Sequence, residues 1–459
     1  LTSKQPIDES PVKYTKIRQL DTVNLATTIE SDESPVLRSA LTGDYWALDG
    51  AGSQSIIEKM KALSVPLGEY VSNKIFYGIK TGFNEAFIID QRTRNWLIAE
   101  DSRNAEIIKP FLVGEDVKRY AIDYKKRYII LTRIGTPIER YPAVFAHLQR
   151  YQEQLEKRWD KGHHWWELRS CDYYEQFEKP KIMFPDIARR CQFAYDSDGY
   201  FSGNTTYFMS AGDEQKYLTS LLNSSLVDFF FRTISALIRG DYLRFFTQYV
   251  TQIPIRRITS TTPDEKRAAL VEQGVAHYTS GRREEVLALV ESCLASQPEQ
   301  GDVVHDLLVY LAEQMLVLNK RRQEKVEDFS NDLYSILTTD LAKIARLWTP
   351  MNTVKKGDVD KARKLVEAQN ELGTLASRQL DLHNDIGLLS ESQWRWLLVQ
   401  RLGHKANLSR SIKVYRDHQP LIVELDTRIA TTDRLIDQLV YRLYGLTAEE
   451  VATLEARVR

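Results

Sequence analysis

The hydrophobic pattern changes period near residue 260, and that change restricts the chain to two kinds of structure joined end to end. Before it, short runs rich in β-branched and aromatic residues recur: AFII at 86–89, YIIL at 128–131, KIMF at 181–184 and TYFM at 206–209. Turn signals such as Asp198-Gly199 and Ser202-Gly203-Asn204 separate them. Helical spacing appears at 143–159 and 216–238, too irregularly for a strand–helix repeat, so an α+β fold with a mixed or antiparallel sheet is expected. After the change, β runs almost vanish. Thr262-Pro263-Asp264-Glu265 reads as a capping-box helix start. Val303, Leu307, Leu311, Met315 and Leu318 then share one helical face, as do Leu425, Ile429, Ile436, Leu439, Val440 and Leu443. Such long, charged segments predict helical hairpins, coiled-coil-like in part. A second capping box, Thr447-Ala448-Glu449-Glu450, follows Gly445, which ends the helix before it.

A chain of 459 residues exceeds what one core usually holds. Three parts are expected: a polar arm or linker at 1–45, an α+β domain at 46–260 and a helical domain at 261–459. No apolar run approaches the roughly 18 residues a bilayer span requires, so no membrane partner is expected. Cys171, Cys191 and Cys293 are too scattered for a disulfide framework or a metal site, and they suit a reduced, cytoplasmic setting. The net charge is −1, but residues 70–259 carry 28 Lys and Arg against 23 Asp and Glu. A mildly positive middle between acidic ends is compatible with nucleic acid, because phosphate contacts need only a local basic face.

Signals for catalysis are absent. Gly78 and Gly82 stand four apart with no helix opening behind them, which is the wrong spacing for a phosphate loop. The Asn/Asp-Pro-Pro-aromatic motif of amino-group methyltransferases does not occur. Pro185-Asp186 follows the Glu178-Lys179-Pro180-Lys181 run in the wrong order for a metal-dependent nuclease. His163 and His164 are neighbours whose side chains diverge, and with Trp159, Trp165 and Trp166 nearby they read as a packed or stacking loop. No catalytic residue, metal or cofactor is assigned to this chain.

What remains is a set of polar loop residues mixed with aromatics. Lys80, Thr81 and Asn84 lie in a glycine-flanked loop; Lys109, Lys118 and Arg119 lie in a second basic loop. Arg189, Arg190, Asn204, Arg239 and Arg244 complete the candidates for DNA contact. Lysine and arginine neutralise phosphates, while Asn, Arg and Lys also read base edges in the major groove. Gly78 and Gly82 serve either close approach to a duplex or turn geometry alone, and Asn223-Ser224 favours a cap over a DNA contact.

The order of the motifs is more specific than any one of them. YGIKTGFNEAFIID at 77–90, IKP at 108–110, GEDVKRY at 114–120, WWELR at 165–169 and FEKPKI at 177–182 come first. PDI at 185–187, NTTY at 204–207, LLNS at 221–224 and QIPI at 252–255 follow. Together they resemble the TaqI-like specificity domain of adenine-specific DNA methyltransferases and fused type IIG restriction–modification enzymes. IDQLVYRLYGLT at 436–447 resembles the tail of those proteins. The resemblance implies sequence-specific recognition of double-stranded DNA. In that family an S-adenosylmethionine-binding methyltransferase domain precedes the specificity domain, whereas here only 1–45 does. It therefore implies a C-terminal fragment or separate specificity subunit, partnered by a methyltransferase catalytic domain in cis or in trans. The alternative is a helical scaffold that docks proteins without DNA specificity and self-associates through the 425–443 stripe.

Overall fold

The computed structural model describes residues 12–14, 34–36, 51–238, 242–339, scattered positions between 341 and 375, 380–402 and 407–458. Of the expected arm at 1–45, the described parts are Val12–Tyr14 and Ser34–Val36, which pair antiparallel. Two compact units emerge: 1–313 with 435–459, and 314–434. The helical region that begins after 260 is thus shared between them.

The first unit is built on two four-stranded sheets. One is antiparallel throughout and runs in the order Ala194–Asp196, Lys181–Pro185, Thr206–Met209, Ile75–Tyr77. The other runs Phe201–Ser202, Ile108–Leu112, Arg127–Ile130, Ile88–Asp90, with its first pair parallel and the rest antiparallel. Between them lies one core containing Phe87, Phe111, Phe177, Phe201 and Phe208. The Phe177 ring lies 5.0 Å from that of Phe201 and 4.5 Å from that of Phe208. The expected mixed and antiparallel architecture followed by long helices is present.

Strand Lys181–Pro185 is buried along its whole length, so its pattern does not alternate. Its first residue is a lysine that is fully enclosed. The Lys181 ammonium donates to a carboxylate oxygen of Asp196 on the neighbouring strand and to the carbonyl of Phe177 at 2.5 Å. Asp196 in turn accepts from the backbone N–H groups of Asp198 at 2.8 Å and Tyr200 at 3.0 Å. Burial pushes the Lys181 pKa down and the Asp196 pKa up, and each partner opposes that shift in the other.

Three expected elements are broken; the helix expected at 143–159 divides into Pro142–Gln149 and Gln152–Glu156. The 86–89 run begins as the helical turn Asn84–Phe87, and only Ile88–Asp90 is strand. Gly82, at φ +69°, redirects the chain just before it. The helix expected at 216–238 divides into Gln215–Leu222 and Ser225–Ile234, with Leu237–Ile238 a strand. At the break, Asn223 exchanges two hydrogen bonds with the backbone of Phe193, at 2.8 and 3.0 Å, and Ser224 accepts from Val227 N–H. Asn223-Ser224 is a turn and a cap.

The capping box expected at Thr262 does not form. The helix there, Asp264–Thr279, has Pro263 as its N-cap, and the Thr262 hydroxyl donates instead to Asp302 at 2.6 Å. An aspartate that also accepts the N–H groups of Thr261 and Thr262 outcompetes the local cap. The box at Thr447–Glu450 does form, with Thr447 N–H to Glu450 at 2.8 Å and Glu450 N–H to Thr447 at 3.3 Å. Glu450 also accepts from Ser55 and Lys59, both at 2.7 Å, joining helix Ala448–Val458 to helix Ala51–Ala62. Although burial opposes the charge, these donors hold its pKa near 2. In the second unit Phe329, Leu333, Trp394, Leu398 and Tyr415 form a separate core. No described helix is long and apolar enough to cross a membrane.

Within the first unit, His305 lies between Asp306, 2.9 Å from Nδ1, and Glu214, 3.1 Å from Nε2. Burial works against the imidazolium, but these hydrogen bonds prevail and raise its pKa to about 9. Its stabilising effect is complete below the ordinary histidine pKa of about 6.5 and disappears as pH rises through the folded value. Urea midpoints of the native chain should therefore fall between pH 6.5 and 9, and His305→Gln should flatten that part of the profile. Asp196→Ala, which strands the enclosed Lys181, should cost about 3–5 kcal/mol by the same measurement.

Candidate nucleic-acid interface

Edge strand Ile75–Tyr77 ends where the chain crosses its own backbone. Gly78 N–H donates to the Thr206 carbonyl at 2.8 Å, and Ile79 N–H donates to the Ser202 carbonyl at 2.7 Å. A Cβ on Gly78 would lie 1.9 Å from the carbonyl oxygen of Gly203. The close approach that Gly78 permits is to the chain's own backbone, a structural role, where the sequence offered approach to a duplex or turn geometry. The same crossing gathers two further motifs. Gly114 N–H donates to the Thr205 hydroxyl at 2.9 Å, and Asp186 N–H donates to the Thr205 carbonyl at 3.0 Å. Thr206 is buried in the sheet, which leaves Asn204 exposed at the top of the turn.

From this knot a row of cations over aromatic rings extends along the surface. The Lys80 ammonium is exposed and lies 5.7 Å from the ring centre of Tyr77, which is itself 41% exposed. Tyr77 pairs across the sheet with Tyr207, whose hydroxyl pKa is raised first by burial and then by the Asp186 carboxylate. Burial raises the Asp186 pKa, and Arg244 counteracts it. Arg244 sits opposite Ile187 in the three-stranded sheet Ile187–Ala188, Tyr242–Arg244, Leu237–Ile238, with its guanidinium 5.0 Å from the Phe246 ring. The exposed Arg189 lies 5.0 Å from the ring of Tyr242 on the same sheet. Rings held this way keep long cationic side chains extended at the surface.

The remaining candidates are dispersed. Lys109 is 3.1 Å from Glu178. Lys118 and Arg119 belong to the hairpin Val117–Lys118, Ala121–Ile122, where Arg119 donates to the Asn223 carbonyl at 3.1 Å. Arg190 is exposed beside the buried Cys191, whose N–H donates to Asp228 at 2.5 Å. Thr81 is buried, and its hydroxyl donates to Asn84 at 2.6 Å, so these two candidates bond each other. Arg239 lies outside the described residues.

Sequence reading missed Arg158, which holds the glycine loop in place. Its guanidinium donates to the carbonyls of Thr81 at 2.5 Å, Trp165 at 2.7 Å and Glu167 at 2.8 Å. Burial lowers its pKa to about 10. No spacing pattern could have revealed a bond between residues 77 apart in the chain. Tyr77 and Arg169 were also missed; with Lys80, Tyr173 and Asp172 they line a cleft of about 160 Å³. His164 and Trp166 stack at 4.3 Å with parallel rings, as expected for that loop, whereas Trp159, expected to join it, neither packs nor stacks and is exposed. Among the described residues no three His, Cys, Asp or Glu side chains converge as metal ligands would.

Comparison with known proteins agrees with the motif order. Residues 109–255 match the family described as the TaqI-like C-terminal specificity domain. Type II methyltransferase M.XhoI of Xanthomonas vasicola is 25% identical over 239 residues, 50% of this chain and 42% of that protein. Type II methyltransferase M.PaeR7I of Pseudomonas aeruginosa is 25% identical over 266 residues, 54% of this chain and 44% of that protein. The match thus spans less than half the length of these curated relatives. Among solved structures, the type IIL restriction–modification enzyme MmeI in complex with DNA aligns with a TM-score of 0.32 and 14% identity. That alignment covers 54% of this chain and 32% of MmeI.

The two loop glycines should respond differently to alanine. Gly82→Ala places a side chain in the left-handed region at φ +69° and should cost about 1–2 kcal/mol. Gly78→Ala drives a methyl into the Gly203 carbonyl and should cost more than about 3 kcal/mol. Urea unfolding of the two variants measures the order.

Proposed function

We propose that this chain, whose residues 109–255 are a TaqI-like C-terminal specificity domain, reads a short double-stranded DNA sequence for an adenine-specific methyltransferase. The methyl transfer belongs to a catalytic domain, in cis or in trans, that binds S-adenosylmethionine. Relatives that are type II methyltransferases, each longer than the matched stretch, support that division of labour. A type IIG parent, with a nuclease fused to the methyltransferase, fits the same division.

The observation that carries the reading is the row of cation–aromatic pairs: Lys80 on Tyr77, Arg244 on Phe246 and Arg189 on Tyr242. It combines positive charge for phosphates with planar surface for bases, and the exposed Asn204 adds a donor and an acceptor for a base edge. The scaffold alternative loses its motivating feature. Of the stripe expected to self-associate, Leu425, Ile436, Leu439, Val440 and Leu443 are buried within this chain and Ile429 is half-buried.

Selection from a random duplex pool at two salt concentrations, followed by sequencing of the bound fraction, tests the function. One short enriched motif containing adenine, bound more weakly at the higher salt, is the expected result. No binding at low salt overturns it. On the enriched duplex, Lys80→Ala, Arg189→Ala and Arg244→Ala should each reduce the slope of log affinity against log salt by about 1. Asn204→Ala should instead relax one position of the motif, by about 1–3 kcal/mol of discrimination. Lys109→Ala should leave slope and motif unchanged, because Glu178 already neutralises that lysine.

A further inference from the structure

We propose that Trp159 enters the bound duplex and stacks on a base at an opened step; the proposal rests on the DNA-recognition reading above. Trp159 is 97% exposed, the largest apolar residue left almost wholly in water among the described residues. A single exposed apolar residue is ordinary on a folded surface. Here the backbone beneath it is unusually well held.

Both flanking residues are fixed. On one side Arg158 is buried and bonds the carbonyls of Thr81, Trp165 and Glu167. On the other, Asp160 accepts from Arg169 at 3.1 Å. Lys161 N–H donates back to the Trp159 carbonyl at 3.1 Å, and Lys161 bridges antiparallel to Leu168. A loose loop would let an indole fold back onto apolar surface. This loop holds the Trp159 backbone while its side chain stays outside. An indole with two side-chain torsions on a fixed backbone loses little conformational entropy when it packs against a partner.

The surroundings point to nucleic acid. The position a Cβ would take on Gly82 is 3.1 Å from Arg158 Cδ and 3.3 Å from Asp160 Cβ, so both neighbours of Trp159 pack on the glycine loop. That loop carries Lys80, and Arg169 lines the same cleft as Lys80 and Tyr77. Lys80 on that loop and Lys161, two residues after Trp159, are both exposed and bring positive charge to these loops, whereas Arg169 is paired with Asp160. Charge draws in phosphate, and a planar apolar ring offers a face to any base, whatever its sequence. Apolar side chains inserted between base steps unstack them and bend the duplex. An enzyme that must turn an adenine out of the helix gains from such a wedge, since the vacated stack needs a partner.

The test uses the full chain and the duplex enriched by selection, with 2-aminopurine placed in turn at each adenine position. Trp159→Ala and Trp159→Phe should melt at the native temperature, because the side chain contributes no packing. Trp159→Ala should bind about ten- to a hundredfold more weakly, with most of the loss restored by Trp159→Phe. Its salt slope should stay native, unlike that of Lys80→Ala, because no charge is removed. Native protein should raise 2-aminopurine fluorescence at one step, and Trp159→Ala should abolish the rise. Equal affinity and equal fluorescence for Trp159→Ala overturn the proposal, including the case in which the indole docks a methyltransferase domain instead. Failure of the native chain to bind any duplex is a separate result: it overturns the DNA reading itself and this proposal with it.

Discussion

Gly78 lets two stretches of backbone come closer together than a side chain at that position would permit. The hydrogen bonds from Gly78 to Thr206 and from Ile79 to Ser202 follow from that approach, and with them the exit of the chain from the sheet. Tyr77 is the last residue before the crossing and Lys80 the second after Gly78, so the crossing sets both sides of the first cation–aromatic pair. Thr205, on the same turn, binds Gly114 and Asp186. The four loops that carry the recognition motifs are thus tied at one point, and the exposed residues they present inherit the rigidity of the sheets.

Two buried cations secure the rest of the domain by different chemistry. Lys181 is a point charge and needs a counter-charge; Asp196 supplies it, and backbone N–H groups complete the carboxylate. Arg158 spreads its charge over a planar fork and is satisfied by three carbonyls that converge from two loops of the chain. A lysine at 158 could not span that set of acceptors. The arginine joins the glycine loop to the tryptophan-rich loop, so the two move as one surface.

The tail that resembles those of the large methyltransferases has a structural explanation. Asp437 accepts from the N–H and the hydroxyl of Ser225 at the start of helix Ser225–Ile234, both at 2.7 Å. The Tyr444 hydroxyl accepts from Arg256 N–H and donates to the Pro254 carbonyl. Glu450 closes the set through Ser55 and Lys59. Residues from the last 25 positions therefore hold the LLNS and QIPI motifs, which lie some two hundred positions earlier. The joint occurrence of those motifs and this tail reflects one packed interface within the first unit.

Local rules were enough for much of the fold. Short runs of β-branched and aromatic residues identified strands 127–130, 181–185 and 206–209, period-3.6 runs identified the long helices, and Thr447-Glu450 identified its own cap, because each depends on residues within a few positions. The order of short motifs pointed to the specificity-domain family that residues 109–255 match. Elsewhere local rules failed. Thr262 carried a valid capping pattern but bonded Asp302, Asn223 broke a helix to satisfy Phe193, and Thr81 turned inward to Asn84. In the first two a distant partner decided the outcome. The grouping of Lys80, Arg189 and Arg244 with their rings, and the clamp that leaves Trp159 outside, were likewise settled by tertiary packing. Sequence determined which backbone each segment prefers and which chemistry it carries. Tertiary structure decided which polar groups are consumed in holding the fold and which remain to meet a partner, because hydrogen bonds between residues tens to hundreds apart leave no periodic trace in the chain.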